Sequence, residues 1–177
     1  MINLDRSPGT YIRHAAEAVA AAFIYWFFRL LPLDAASSLG GWLARNIGPS
    51  LPISALAKQN LQRAFPNMSG KDLRQNLISM WDNLGRVIGE YPHLPSLRGS
   101  GVERRLEIIG AEHIDTLRDD GKPGIFFMAH IGNWEFSGLA SAARNLTVDR
   151  VYRQANNPLT EWILNRGRAS VDGNLIP

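Results

Sequence analysis

The chain contains no cysteine. That excludes a disulfide scaffold, a thiolate metal site and a cysteine nucleophile, and it leaves the redox compartment open. Lysine is scarce: among 19 basic residues only Lys58, Lys71 and Lys122 are lysines, and the rest are arginine. Arginine grips phosphate with a two-pronged fork that lysine lacks. A net charge of +3 carried this way suits an anionic headgroup or a membrane face, although a genome-wide habit of using arginine would give the same count. Five like charges never occur in a row, so no nucleic-acid-binding tail is expected. A Gly-x-Ser-x-Gly elbow is missing as well, which removes the usual setting of a serine nucleophile. Repeats and low-complexity segments are absent. With 177 residues, 45% hydrophobic and 20% charged, the chain is long enough for one domain with a small appendage and is too apolar for disorder.

An unbroken apolar run of spanning length is also lacking. Residues 18–28 read AVAAAFIYWFF without a charge, whereas a span needs about 20 apolar residues. Extension to residues 15–33 takes in Glu17 and Arg29, which would have to snorkel towards the interfaces. Tyr25, Trp26, Phe27 and Phe28 cluster at one end, as interfacial aromatics do. Aromatic residues stand where a signal peptidase needs small ones. Residues 1–33 are therefore expected to form an uncleaved membrane anchor helix, lying on the bilayer or marginally spanning it, with a buried helix of a soluble core as the remaining alternative.

Residues 34–97 read as helical. Ser54 can cap a helix through Leu56, Asn60, Leu61 and Ala64 that stops at Pro66. Ser69 and Asp72 offer a capping box for a second helix. Its stripe of Leu73, Leu77, Met80, Trp81, Leu84 and Ile88 has the spacing of core packing. Pro92, Pro95, Gly99 and Gly101 then read as a linker.

From residue 98 the period changes. Leu106 and Ile108 alternate with charged neighbours as in a strand. Residues 111–120 read as a helix closed by Gly121. The continuous apolar run 125–129 suits a strand buried on both faces. A helix capped by Asn133, a strand at 148–152 and a helix at 159–168 follow. That order predicts an α/β fold: an N-terminal membrane-associated helix and a helical segment, then the first part of a mixed, largely parallel sheet flanked by helices.

Within that frame the most informative segment is Gly124-Ile-Phe-Phe-Met-Ala-His-Ile-Gly-Asn-Trp-Glu135. It delivers His130 to the carboxyl end of a strand, where open sheets bind ligands. On one straight helix His130 and Glu135 would point about 140° apart. A turn at Gly132 and a new helix can fold them together, with Glu135 in the helix's first turn, where the dipole favours its ionised form. A carboxylate facing an imidazole fixes its tautomer and strengthens the other nitrogen as a base. Backbone N–H groups near Gly132 and Asn133 could support the oxyanion of a thioester under attack. A chance His…Glu pair, or a metal-dependent hydrolase using both as ligands, are the competing readings. His14, His93 and His113 show no ligand spacing to complete such a metal site.

The His-x4-Glu pattern in the form His-Ile-Gly-Asn-Trp-Glu resembles the glycerolipid acyltransferase superfamily, and within it the lipid A late (lauroyl/myristoyl) acyltransferases. The similarity runs from about Asn60 to the last residue and is densest at residues 121–135 and at Val-Tyr-Arg-Gln-Ala-Asn-Asn-Pro, residues 151–158. The resemblance implies a general base at His130 with Glu135 as partner, and a phosphate-binding role for Arg153 towards a phosphorylated glycolipid acceptor. Arg166 and Arg168 read as weaker phosphate candidates on a solvated helix face. The resemblance further implies an acyl carrier protein thioester as donor, no cofactor, and work at the cytoplasmic face of the inner membrane. Members of that family are longer, so residues 98–177 are expected to be the amino-terminal part of an incomplete acyltransferase domain. By itself this polypeptide is expected to be weak or inactive. A non-catalytic membrane-bound helical module is the alternative.

Overall fold

In a computed structural model, residues 8–97, 105–168 and 173–177 are described. The chain is mostly helical and divides into two compact units, Phe28–Glu90 and Met1–Phe27 with Tyr91–Pro177.

The first of these is a helical packing built on small residues. Helices α2 (Leu33–Ile47) and α4 (Gly70–Glu90) form its main contact. Ala36 and Gly40 on α2 face Gly85 and Gly89 on α4, all buried, so that the two backbones touch where any side chain would separate them. A β-carbon on Gly85 would overlap the carbonyl of Gly40, and one on Gly40 would overlap that of Gly85. Asp82 adds an ionic clasp, accepting from Arg86 at 2.7 Å and from Arg45 at 3.0 Å. The Arg86 bond, against some burial, holds the Asp82 carboxyl below its ordinary range.

The capping box at Ser69 is present: its Oγ accepts the Asp72 N–H at 3.1 Å and donates to the Asp72 carboxylate at 2.7 Å. Ser54, expected as a cap, does something else. Helix α3 (Ile53–Ala64) begins before it. Its buried hydroxyl donates to the Gly48 carbonyl at 2.7 Å and accepts from the Trp81 indole at 2.8 Å. The stripe expected on α4 is only partly core: Leu73 is buried, while Met80 and Ile88 are exposed. The glycines take the close-packed positions instead.

Helix α1 (Pro8–Leu30), which belongs to the second unit as far as Phe27, runs longer than its charge-free segment. Among the described residues no helix is long and apolar enough to cross a membrane. Pro92 and Pro95 lie in a 3-10 helix, Tyr91–Leu97. Its Tyr91, Pro92, His93 and Leu94 are buried, so this part of the expected linker is core; Gly99 and Gly101 fall outside the described residues. Helix α5 (Ala111–Asp119) forms as read. It is tied to the end of α6 (Phe136–Ala143), where Asp115 pairs with Arg144 at 2.6 Å and Arg118 donates to the Arg144 carbonyl at 2.8 Å.

The sheet is much smaller than the sequence suggests. Strand β1 (Arg150–Val151) pairs in parallel with β2 (Leu175–Ile176), Arg150 opposite Leu175 and Val151 opposite Ile176. The parallel sense is as expected, but the strands expected at Leu106–Ile108 and residues 125–129 are not formed. Ile125 and Phe127 are 89% and 95% exposed. The reason is physical. A strand's backbone groups need a ladder partner, and among the described residues none lies beside this run. Helix α7 (Pro158–Arg168) closes the unit, with Pro158 at its first position and the Asn157 side chain accepting the Leu159 N–H at 3.0 Å.

Candidate active site

His130 follows the extended run and is exposed, its ring 4.7 Å from that of Trp134. Gly132 turns the chain with φ +58°, a conformation that suits a residue without a β-carbon. Asn133 is not the N-cap expected from sequence, a position that Glu135 holds; in the turn before the helix its Oδ1 accepts the Glu135 N–H at 3.2 Å, and its carbonyl accepts from Phe136 at 3.1 Å. Two turn residues intervene before α6 begins at Phe136. Glu135 is thus the residue just before the helix, not a member of its first turn as expected from sequence.

Glu135 does not meet His130 in a hydrogen bond among the described residues. Its partner is Arg168, at the end of α7, whose Nη2 and Nε donate to the same oxygen, Oε1, at 3.0 and 3.3 Å. Both side chains are largely withdrawn from water, 10% and 19% exposed. The Arg168 guanidinium also lies 5.2 Å over the Tyr152 ring. Its own carbonyl accepts from Arg150 at 3.1 Å. The Tyr91 hydroxyl donates to the Leu164 carbonyl at 2.6 Å, and the Tyr91 ring packs on Gly167.

Burial and mutual charge shape this cluster. Burial pulls the Arg168 guanidinium down, but the Glu135 bond and the nearby charges hold it above the ordinary arginine value. Burial lowers Arg150, and Arg168 adds to that while Glu135 opposes it. Burial, helped by the Glu135 charge, pushes the Tyr91 phenol far up. The result is a carboxylate side chain set among two arginines and a phenol that burial keeps protonated.

Arg153 sits on the loop after β1, exposed, with its Nη2 3.3 Å from the Asn156 side chain. Glu161 shapes that loop from α7, accepting from the Ala155 N–H at 2.7 Å and from the Tyr152 hydroxyl at 2.8 Å. Arg166 lies 4.9 Å over the Trp162 ring. Of the sequence-read residues, Gly132, Asn133 and Glu135 come together. His130 and Arg153 stand exposed, without a hydrogen bond to Glu135. Two open concavities line α4 and the turn before it, and neither includes any of these residues.

Arg168 was read as a solvated charge and is the residue that sequence reasoning missed. The signal was Gly167, a glycine inside a helical pattern, which marks a close approach and here lies against Tyr91. Among the described residues no three of His, Asp and Glu gather where they could hold a metal ion.

Comparison with known proteins adds the lineage. A family model described as bacterial lipid A biosynthesis acyltransferase matches residues 8–177. The chain is 24% identical over 119 residues to a lipid A biosynthesis acyltransferase of Haemophilus influenzae, covering 67% of this chain and 37% of that protein. It is 26% identical over 125 residues to a lipid A biosynthesis lauroyltransferase of Escherichia coli, covering 68% and 39%. The aligned part thus spans well under half the length of these curated relatives. No solved structure matches. The match to nearly the whole chain carries the conclusion: this protein belongs to the bacterial lipid A biosynthesis acyltransferase family.

Proposed function

We propose that this chain carries the catalytic pair of an acyl-transfer site, with His130 as general base and Glu135 as its acidic partner. In this reading the imidazole removes the proton from an acceptor hydroxyl. The oxygen attacks the carbonyl of an acyl carrier protein thioester, an ester C–O bond forms, and the C–S bond breaks. The imidazolium then returns its proton to the departing thiolate, so transfer is direct and passes through no acyl-enzyme. The acceptor is a phosphorylated glycolipid of the lipid A type, with Arg153 as a phosphate contact. In this reading the backbone N–H groups of Gly132 and Asn133 support the oxyanion. The reaction takes place at the cytoplasmic face of the inner membrane.

The observation that carries this reading is a Glu135 side chain held by Arg168, five residues from an exposed imidazole. Both Arg168 bonds fall on Oε1, and no hydrogen bond of Glu135 falls on Oε2 among the described residues. That oxygen is left for His130, which a change of rotamer and of the exposed turn 130–133 would bring round. The test is acyl transfer by the full-length protein. His130→Ala and Glu135→Ala should each abolish most of it, and near-normal transfer by both would remove the assignment. A second reading, a non-catalytic membrane-bound helical module, draws support from the absence of a His130–Glu135 bond. Vesicle binding without transfer by the full-length protein would favour it.

A further inference from the structure

Helix α1 has two unlike sides. Ile12, Val19, Phe23 and Trp26 are 73%, 70%, 70% and 55% exposed. At ~100° per residue they fall within about 60° of one another, a single apolar line about 21 Å long. Exposed Ala16 and Ala20 flank it without adding polarity. The far side, roughly 140–200° round, holds His14 and Glu17. His14 is 8% exposed. Asn157, itself 5% exposed, donates through Nδ2 to the His14 carbonyl at 2.9 Å and to the Glu17 carboxylate at 2.9 Å. The same side chain caps α7. One buried amide therefore bonds both to the start of α7 and to this side of α1.

We propose that α1 lies along a lipid surface, not across it, with the line Ile12–Val19–Phe23–Trp26 in the acyl region and Asn157 holding that face outward. The reading rests on the membrane location proposed above and specifies its geometry. Three observations favour lipid as the occupant. The line ends in aromatics: Trp26 packs edge-on to Tyr25 at 5.6 Å, and Phe23 stacks with Phe27 at 6.3 Å, as befits an interface. Arg13 stands about 100° from the line, two-thirds exposed and 3.6 Å from Glu17, at the level where anionic headgroups would meet it. A spanning α1 would draw Asn157 and the α7 charges Glu161, Arg166 and Arg168 towards hydrocarbon, at high cost. A flat α1 keeps them in water. It also ties the lipid surface to the candidate site by a covalent route, since Asn157 begins the helix that ends in Arg168.

The absence of cysteine makes the test clean. Ile12→Cys, Val19→Cys and Trp26→Cys, each in the full chain and each carrying a nitroxide, are bound to vesicles of phosphatidylglycerol and phosphatidylethanolamine. Label depth is read from accessibility to oxygen and to a water-soluble nickel chelate. The expected result is one shared depth for all three, about 5–10 Å below the phosphates. Depths that progress from residue 12 through the midplane to residue 26 would overturn the flat orientation and leave the membrane location standing. No lipid contact at any position would overturn both. Dipolar broadening between labels without vesicles would give the face to a second copy of the chain. Asn157→Ala, with folding checked by circular dichroism, should loosen the Val19 label in vesicles, and unchanged motion would remove Asn157 from this role.

Discussion

Arg168 spends two donors on a single oxygen of Glu135, across 33 residues of sequence. Removing one member of such a withdrawn pair strands the other charge, which costs about 3 kcal/mol or more. Arg168→Ala is therefore expected to lower the urea-unfolding free energy by about that amount. Adding Glu135→Gln to it should recover part of the loss, because the stranded charge is gone. A double-mutant cycle with no coupling would show that the pair is not formed in solution.

Glu161 gives a pH-dependent counterpart. Burial raises its carboxyl, but the Ala155 N–H, the Tyr152 hydroxyl and nearby groups outweigh that and set it below its ordinary 4.5. A depressed carboxylate stabilises the fold above its unfolded value and loses that contribution as pH falls through the folded one. Solvent reaches this group, so the effect is expected to be small, about 1 kcal/mol. Glu161→Gln should cost that much at pH 7 and nothing at pH 2, which flattens the acid limb of the stability profile. Equal losses at both pH values would contradict the assignment.

The α2–α4 contact depends on bare backbone at Gly85. Gly85→Ala pushes a methyl into the Gly40 carbonyl, and overpacking of this kind costs about 1–3 kcal/mol. Gly70→Ala is the control, because nothing lies within 4 Å of its added carbon. The control should unfold at the wild-type urea concentration or slightly above it, while Gly85→Ala unfolds earlier.

Exposed and lacking a ladder partner among the described residues, the run Ile125, Phe126, Phe127 and Met128 is a liability for self-association. Phe127→Lys should shift the chain from associated species towards monomer in sedimentation velocity at micromolar concentration. Its stability should stay within about 0.5 kcal/mol of wild type, because the ring is outside the core. An unchanged sedimentation profile would show that this run does not drive association.

Local signals in the sequence were good guides where the structure is local. The capping box at Ser69, the α5 and α7 helices and the parallel pairing near residue 150 follow from capping chemistry and hydrophobic period. What misled was apolar content without partners. Residues 125–129 have strand composition, but a strand exists only when another backbone satisfies its groups. Ser54 and Pro92 show a similar limit, since a hydroxyl that looks like a cap and a proline that looks like a linker are both used in the interior. At the candidate site, the turn at Gly132 was legible, being set within a few residues, whereas the helix start was misplaced: Asn133 bonds within the preceding turn and Glu135 holds the N-cap position. The Glu135–Arg168 pair was not, because it is made by helices brought together from far apart. Only Gly167 hinted that the end of α7 is packed.

The central claim is that His130 acts as the base and that Glu135 serves it. It is tested most directly by acyl transfer from an acyl carrier protein thioester to a lipid A precursor, in the full-length protein. His130→Ala should lower kcat about 100- to 10,000-fold while changing stability by no more than about 0.5 kcal/mol, since the imidazole is exposed. Glu135→Ala should lose both transfer and stability. Transfer by His130→Ala at the wild-type rate would contradict the account.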